Sequence, residues 1–215
     1  RREVAIGCHC IDCDIQRFQI PDQLDRDDLF ALRAVDQQIA HGSKHERLSG
    51  AALSPDAKTI VAMRSDNSYQ NTVVLLGAGS GRSIKSFPNP ENYFYSMPRW
   101  SDDGKSIVML KTAKAGRTIA ILEIESGNFR DVLQSGNENI GHPVLFGNHI
   151  FFNSPRSGID NIYVLDINTK KRQQVTTSRY GAYNPAVSAD GKWIYYNEQT
   201  RDGLDVVKIP FDIKL

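Results

Sequence analysis

The stretch Asn184-Pro185-Ala186-Val187-Ser188-Ala189-Asp190-Gly191-Lys192-Trp193-Ile194-Tyr195-Tyr196 decides the fold. It reads as two β-strands joined by a tight turn. Asp190 is placed to fold its carboxylate back onto the backbone, and Gly191 supplies the positive φ that such a turn needs. The second strand, Trp193-Ile194-Tyr195-Tyr196, consists of the aromatic and β-branched residues that suit a pleated surface. Residues 197–203 are polar and read as a hairpin, after which Asp205-Val206-Val207-Lys208-Ile209 reads as a third strand.

The same plan recurs toward the N-terminus. Ser54-Pro55-Asp56-Ala57-Lys58 and Ser101-Asp102-Asp103-Gly104-Lys105 repeat the turn, and Phe146-Gly147-Asn148-His149 shortens it. Ala57 stands where the other copies carry Gly104 and Gly191, which predicts a turn that is strained or differently shaped. Apolar runs marking the third strand begin at Leu29, Val73, Ile119, Ile162 and Val206, at intervals of 44, 46, 43 and 44 residues. The second and third strands keep a spacing of 12 residues from Ile107 to Ile119, from Ile150 to Ile162 and from Ile194 to Val206, and of 13 from Ile60 to Val73. Hairpins at 77–81, 125–128 and 168–171 lead to edge strands whose apolar members are Ile84, Val132 and Val175.

Four short strands repeating about every 40–45 residues define the blade of a β-propeller. The fold class is therefore all-β: a propeller of four-stranded blades with about five repeat units, forming a small closed ring or a fragment of a larger one. Residues 28–215 make up the propeller. Residues 1–27 form an N-terminal segment or partial blade, with Arg17-Phe18-Gln19-Ile20 as its second strand. Residues 25–39 also fit an amphipathic helix, with Leu29, Leu32, Val35 and Ile39 at helical spacing. In a closed ring, Arg2-Glu3-Val4-Ala5-Ile6 would complete the last blade.

Twenty-six basic residues against 25 acidic ones leave a net charge of +1. That balance lacks the basic surplus that nucleic acid or an anionic membrane demands, so neither is expected as a partner. No apolar run reaches the roughly 18 residues of a membrane-spanning helix. No leader is visible, although the chain opens on Arg1 and not on Met.

The turns beginning at Ser54, Ser101 and Ser188 resemble the TolB-type propeller repeat. So does Gly158-Ile159-Asp160-Asn161-Ile162-Tyr163-Val164-Leu165-Asp166, with its Asn-Ile-Tyr and closing Asp. The resemblance covers residues 28–215. It implies a propeller, a periplasmic or extracellular location, and a role in binding or scaffolding without bond chemistry. Relatives of that kind include propellers attached to peptidases and other hydrolases. The chain is accordingly expected to be a non-catalytic module recognising a protein, peptide or sugar. The alternative is the propeller of a larger peptidase or hydrolase whose catalytic domain lies outside this sequence.

Candidate sites follow from propeller geometry, in which ligands sit at the mouth of the central channel, near the loops that lead into each innermost strand. Aligning Pro98, Pro143 and Pro185 with Ala51 makes Gly50, Met97, His142 and Asn184 equivalent. With Tyr183, Tyr95 and the lead-in string His45-Glu46-Arg47, they supply an imidazole, an amide, two phenols and ion-pairing groups suited to a peptide or sugar. Cys8, His9, Cys10 and Cys13 carry the donor atoms of a zinc site, but crowd them into six positions. A metal, a disulfide and ordinary thiols all remain open readings there. Gly77-Ala78-Gly79-Ser80-Gly81-Arg82 lacks the Lys-Ser/Thr of a phosphate loop and reads as a hairpin. His149 falls in a turn and reads as solvated. No G-x-S-x-G elbow is present. No catalytic residue and no cofactor are expected, and the balance is against enzymatic activity.

Overall fold

The structure is a computed structural model that describes residues 46–211, and within them every regular element is a β-strand. The first sheet is β1 (Glu46–Leu53), β2 (Thr59–Asp66), β3 (Asn71–Gly77) and β4 (Ser83–Phe87). The second is β5 (Phe94–Trp100), β6 (Ser106–Ala113), β7 (Gly116–Glu123) and β8 (Phe129–Asp131). The third is β9 (Gly141–Phe146), β10 (His149–Ser154), β11 (Asn161–Asp166) and β12 (Arg172–Gln174). The fourth is β13 (Ala182–Val187), β14 (Trp193–Thr200) and β15 (Gly203–Pro210). Each is an antiparallel meander in chain order. The sheets stand in a row, β1 beside β5, β5 beside β9 and β9 beside β13, and the described residues do not close a ring.

The serine turns account for the start of each blade. Ser54 Oγ donates to Asp56 Oδ1 at 2.6 Å and accepts the Thr59 N–H at 2.9 Å. Ser101 does the same with Asp103 and Ser106, at 2.7 and 2.9 Å. Ser188 repeats it with Asp190 and Trp193, at 2.6 and 3.0 Å. In all three the aspartate also accepts the N–H two residues on, from Lys58, Lys105 and Lys192. Ala57 takes φ 57°, against 67° for both Gly104 and Gly191. Its N–H reaches the Ser54 carbonyl at 2.9 Å, as Gly104 reaches Ser101. Of the two alternatives, the turn therefore keeps its shape and Ala57 carries the strain.

Burial lies between the sheets, because each sheet presents one side to each neighbour. Val61, Met63, Val73 and Leu75 pack against Ile107, Met109, Ala120 and Leu122 of the second sheet. Val108, Leu110, Ile119 and Ile121 face Ile150, Phe152 and Leu165 of the third. Phe151, Ile162 and Val164 meet Ile194 and Tyr196 of the fourth. The indole N–H of Trp100 crosses from the second sheet to the Ala52 carbonyl at 3.0 Å. The loop before β9 is pinned to the third sheet by Glu138. Its carboxylate pairs with Arg172 and accepts the Ser154 hydroxyl, while the Arg172 guanidinium lies 4.7 and 4.3 Å from the Phe152 and Tyr163 ring centres.

Two sequence expectations change. Ile84 is 62% exposed, and the apolar member of the first edge strand is Phe87, 1% exposed, which pairs with Val73. Val132 and Val175 hold the matching positions through N–H bonds to Ile119 and Ile162. A bulge between Leu75 and Leu76 turns Ile84 outward, and that shift leaves no mark on the hydrophobic pattern. The region 197–203 is mostly strand: β14 runs to Thr200, which pairs directly with Gly203. Polar composition concealed it because that end of the hairpin is solvated. Residues 1–27, the blade read over 28–45, and both alternatives for 25–39 lie outside the described residues.

Candidate functional site

In an antiparallel meander the chain enters the first strand at the end where the second and third strands are joined. Of the residues singled out from sequence, that end carries Met97, His142, Tyr183 and Asn184. Just inside it, every first strand bulges. Gly50-Ala51, Met97-Pro98, His142-Pro143 and Asn184-Pro185 are each opposed by one residue, namely Ala62, Met109, Phe152 and Tyr196. The leading residue is left-handed in all four, with φ of 55° for Gly50, 52° for Met97, 50° for His142 and 53° for Asn184. The second bulge residue has no ladder partner for an N–H, so proline is tolerated there in three copies. Holding a side chain in the left-handed region costs about 1 kcal/mol or more relative to glycine. The last three bulges therefore keep side chains at this rim against a conformational preference, and the first does not.

The third bulge puts His142 into a hydrogen-bonded chain. Asp160, in the hairpin between β10 and β11, accepts the Asn153 Nδ2–H at 2.9 Å. The Asn153 amide is thereby oriented with Oδ1 toward His142 Nδ1, 2.9 Å away. Only a protonated Nδ1 satisfies that oxygen, so the neutral ring carries its lone pair on Nε2. The His142 backbone N–H in turn meets Met97 Sδ at 3.4 Å, which joins the second bulge to the third. Tyr183 completes the group. Burial first, and then the Asp160 charge, raise its phenol above the ordinary value and keep it a hydrogen-bond donor. Gly181, at φ 144°, leaves the room this ring occupies: a Cβ there would fall 2.4 Å from the Tyr183 hydroxyl oxygen. Beside it, Asn184 Oδ1 is buried with no hydrogen-bond partner among the described residues.

Of the residues named from sequence, His142, Tyr183 and Asn184 are gathered at the junction of the third and fourth sheets. Tyr95 is 5% exposed and stacks on Phe129 at 5.1 Å, inside the core between the first and second sheets; burial pushes its phenol up to about 12. Glu46 and Arg47 open β1, opposite Asp66 and Ser65, and Arg47 is exposed. His45 and the group Cys8, His9, Cys10 and Cys13 lie outside the described residues. Among the described residues no cluster of His, Cys, Asp and Glu is arranged to hold a metal. His149 is half-buried, 3.9 Å from Asp166 and edge-on to Phe211, and so is more engaged than a solvated turn residue. Residues 77–82 form the β3–β4 hairpin, as expected. Sequence reasoning missed Asn153 and Asp160 as site members. The signal was there for Asn153: an amide ending the apolar run Ile150-Phe151-Phe152 needs a specific partner once buried.

A row of four-stranded meanders, packed face to face with their first strands side by side, defines a β-propeller. Residues 35–214 match the TolB beta propeller domain, and the chain belongs to that family. It is 24% identical over 176 residues to the uncharacterized peptidase YuxL of Bacillus subtilis, an alignment covering 80% of this chain and 24% of that one. The TolB structure from Acinetobacter baumannii superposes with a TM-score of 0.62 at 19% identity, over 79% of this chain and 42% of that chain. A puromycin-hydrolyzing peptidase of Mycobacterium tuberculosis superposes with a TM-score of 0.55 at 15% identity, over 79% and 32%. The chain thus spans about a quarter to two-fifths of the length of these relatives. No helix among the described residues is long and apolar enough to cross a membrane.

Proposed function

We propose that the chain is a recognition module that binds a protein or peptide at the lead-in end of its blades, without making or breaking bonds. The observation that carries this reading is the hydrogen-bonded chain of His142, Asn153 and Asp160 beside Tyr183, with His142 held on a left-handed bulge that costs stability. Amide, imidazole, carboxylate and phenol in one rim supply both donors and acceptors to a main chain. A carbohydrate would use the same groups and is the competing outcome of the test. Kinship with TolB supports a periplasmic setting.

The test is to pan a random dodecapeptide phage library over the immobilised chain. Recovered peptides are then titrated by fluorescence anisotropy against wild type and Asn153→Leu. Losing both side-chain bonds of Asn153 is expected to weaken binding about ten-fold or more. Failure to enrich any peptide, or enriched peptides indifferent to Asn153→Leu, overturns the reading.

A second reading rests on the peptidase names among the relatives: the propeller stands beside a hydrolase domain and admits or orients its substrate. A catalytic domain encoded in the same gene, together with peptide binding at this rim, would favour it over a free-standing module.

A further inference from the structure

Methionine occurs three times in the chain, and the fold treats the three copies differently. Met63 and Met109 lie inside the core between the first and second sheets, 5% and 0% exposed. Met97 leads the second bulge and is only half-buried, its side chain packed against the core between the second and third sheets. An oxidant must reach a sulfur to react with it, so the fold shields two thioethers and leaves the third accessible.

That third sulfur also has a task in the rim. The bulge takes His142 out of the ladder with β10, so its N–H needs an acceptor elsewhere. Met97 Sδ supplies one, at 3.4 Å. The His142 ring continues to Asn153 and Asp160, so the sulfur anchors the backbone from which that chain starts. Neither backbone can shift easily to suit a changed sulfur. Met97 and His142 sit at left-handed φ, of 52° and 50°, and each is followed by a proline of fixed φ.

We propose that Met97 is a reversible oxidation site, and that its sulfoxide releases the third bulge from the second and loosens the ligand-binding rim. A sulfur lone pair attacks one oxygen of hydrogen peroxide. The O–O bond breaks as the S–O bond forms, and sulfur gives up two electrons. The other oxygen leaves as water, taking the proton that the transferred oxygen carried. Acceptor density then sits on the new oxygen and sulfur is partly positive, which no longer suits an N–H pointing at it. The polar oxygen cannot take the place of sulfur while the side chain stays against its apolar core, so the His142 N–H loses its acceptor. The effect on ligand rests on the recognition role proposed above; the oxidation and the lost bond do not.

The three methionines fall in separate tryptic peptides, 59–64, 86–99 and 106–111, so mass spectrometry follows each alone. In the folded full chain, hydrogen peroxide should oxidise Met97 about ten-fold or more faster than Met63 and Met109, with similar rates for all three in urea. Amide hydrogen exchange at His142 should then quicken by about ten-fold or more, and a methionine sulfoxide reductase should restore it. Met97→Leu keeps the volume but lacks the acceptor, so it should show fast exchange before peroxide and no change after it. Library peptides free of Met and Cys should bind the oxidised chain about ten-fold more weakly, and Met97→Leu should be indifferent to peroxide. That variant keeps Cys8, Cys10 and Cys13, so an effect through the thiols would survive in it. Equal oxidation rates in the folded chain, or His142 exchange that ignores oxidation, overturns the inference. Unchanged binding of peptides that still depend on Asn153 removes the loosened rim and leaves the recognition role standing. If no peptide binds, the recognition role falls, and the effect on binding falls with it.

Discussion

The serine turns offer a measurement of backbone strain with internal controls. Ala57, Gly104 and Gly191 occupy the same left-handed position in three copies of one turn, with φ of 57°, 67° and 67°. An L side chain there costs about 1–2 kcal/mol. Glycine gives back roughly 0.4–1 kcal/mol through its greater freedom in the unfolded chain. Ala57→Gly should therefore stabilise the protein by up to about 1 kcal/mol, and Gly104→Ala should destabilise it by a similar amount, since an added Cβ there meets only Pro55 Cδ at 3.9 Å. Gly191→Ala should cost more. Its Cβ would sit 2.8 Å from the Phe146 ring, so the ring must move in addition to the backbone penalty. The assay is urea unfolding of each variant, with midpoint shifts taken at unchanged slope. In thermal unfolding 1 kcal/mol corresponds to about 2–4 °C for a chain of this size. A neutral or destabilising Ala57→Gly, or Gly191→Ala no worse than Gly104→Ala, would refute the reasoning that one geometry is enforced in all three turns.

Acid should weaken the pin between Glu138 and Arg172. The Arg172 hydrogen bond, ahead of burial acting the other way, holds the Glu138 carboxyl below its ordinary value of 4.5. A depressed carboxylate contributes stability that is fully present above 4.5 and fades as pH falls through its lowered folded value. The stability gap between wild type and Glu138→Gln should thus be widest near neutrality and shrink in acid; a gap independent of pH would count against the pin. Gly116→Ala should destabilise by several kcal/mol, about 3 or more, because its Cβ would lie 2.3 Å from the Gly136 carbonyl oxygen in a backbone bridge that cannot retreat. Gly158→Ala, also at positive φ but in open space, should cost only about 1 kcal/mol; equal midpoints for the two variants would refute the steric account.

The blades are legible in short stretches of residues. Strand periods, the Ser-x-Asp turns and their spacing are local, so turn chemistry and alternation write them directly into neighbouring residues. The sequence even aligned Gly50, Met97, His142 and Asn184, since proline after a bulge is a local mark. Tertiary structure alone decided what that alignment means. The shared left-handed φ appears only when each first strand is paired with its second. Asn153 and Asp160 join His142 only because the hairpin folds back over the strand that precedes it. Tyr95 shows the converse: in sequence it stood with Tyr183 as a rim phenol, yet it faces the core against Phe129. Which way a side chain points at a sheet end depends on register and on the neighbouring blade, and that information is spread over residues far apart in the chain.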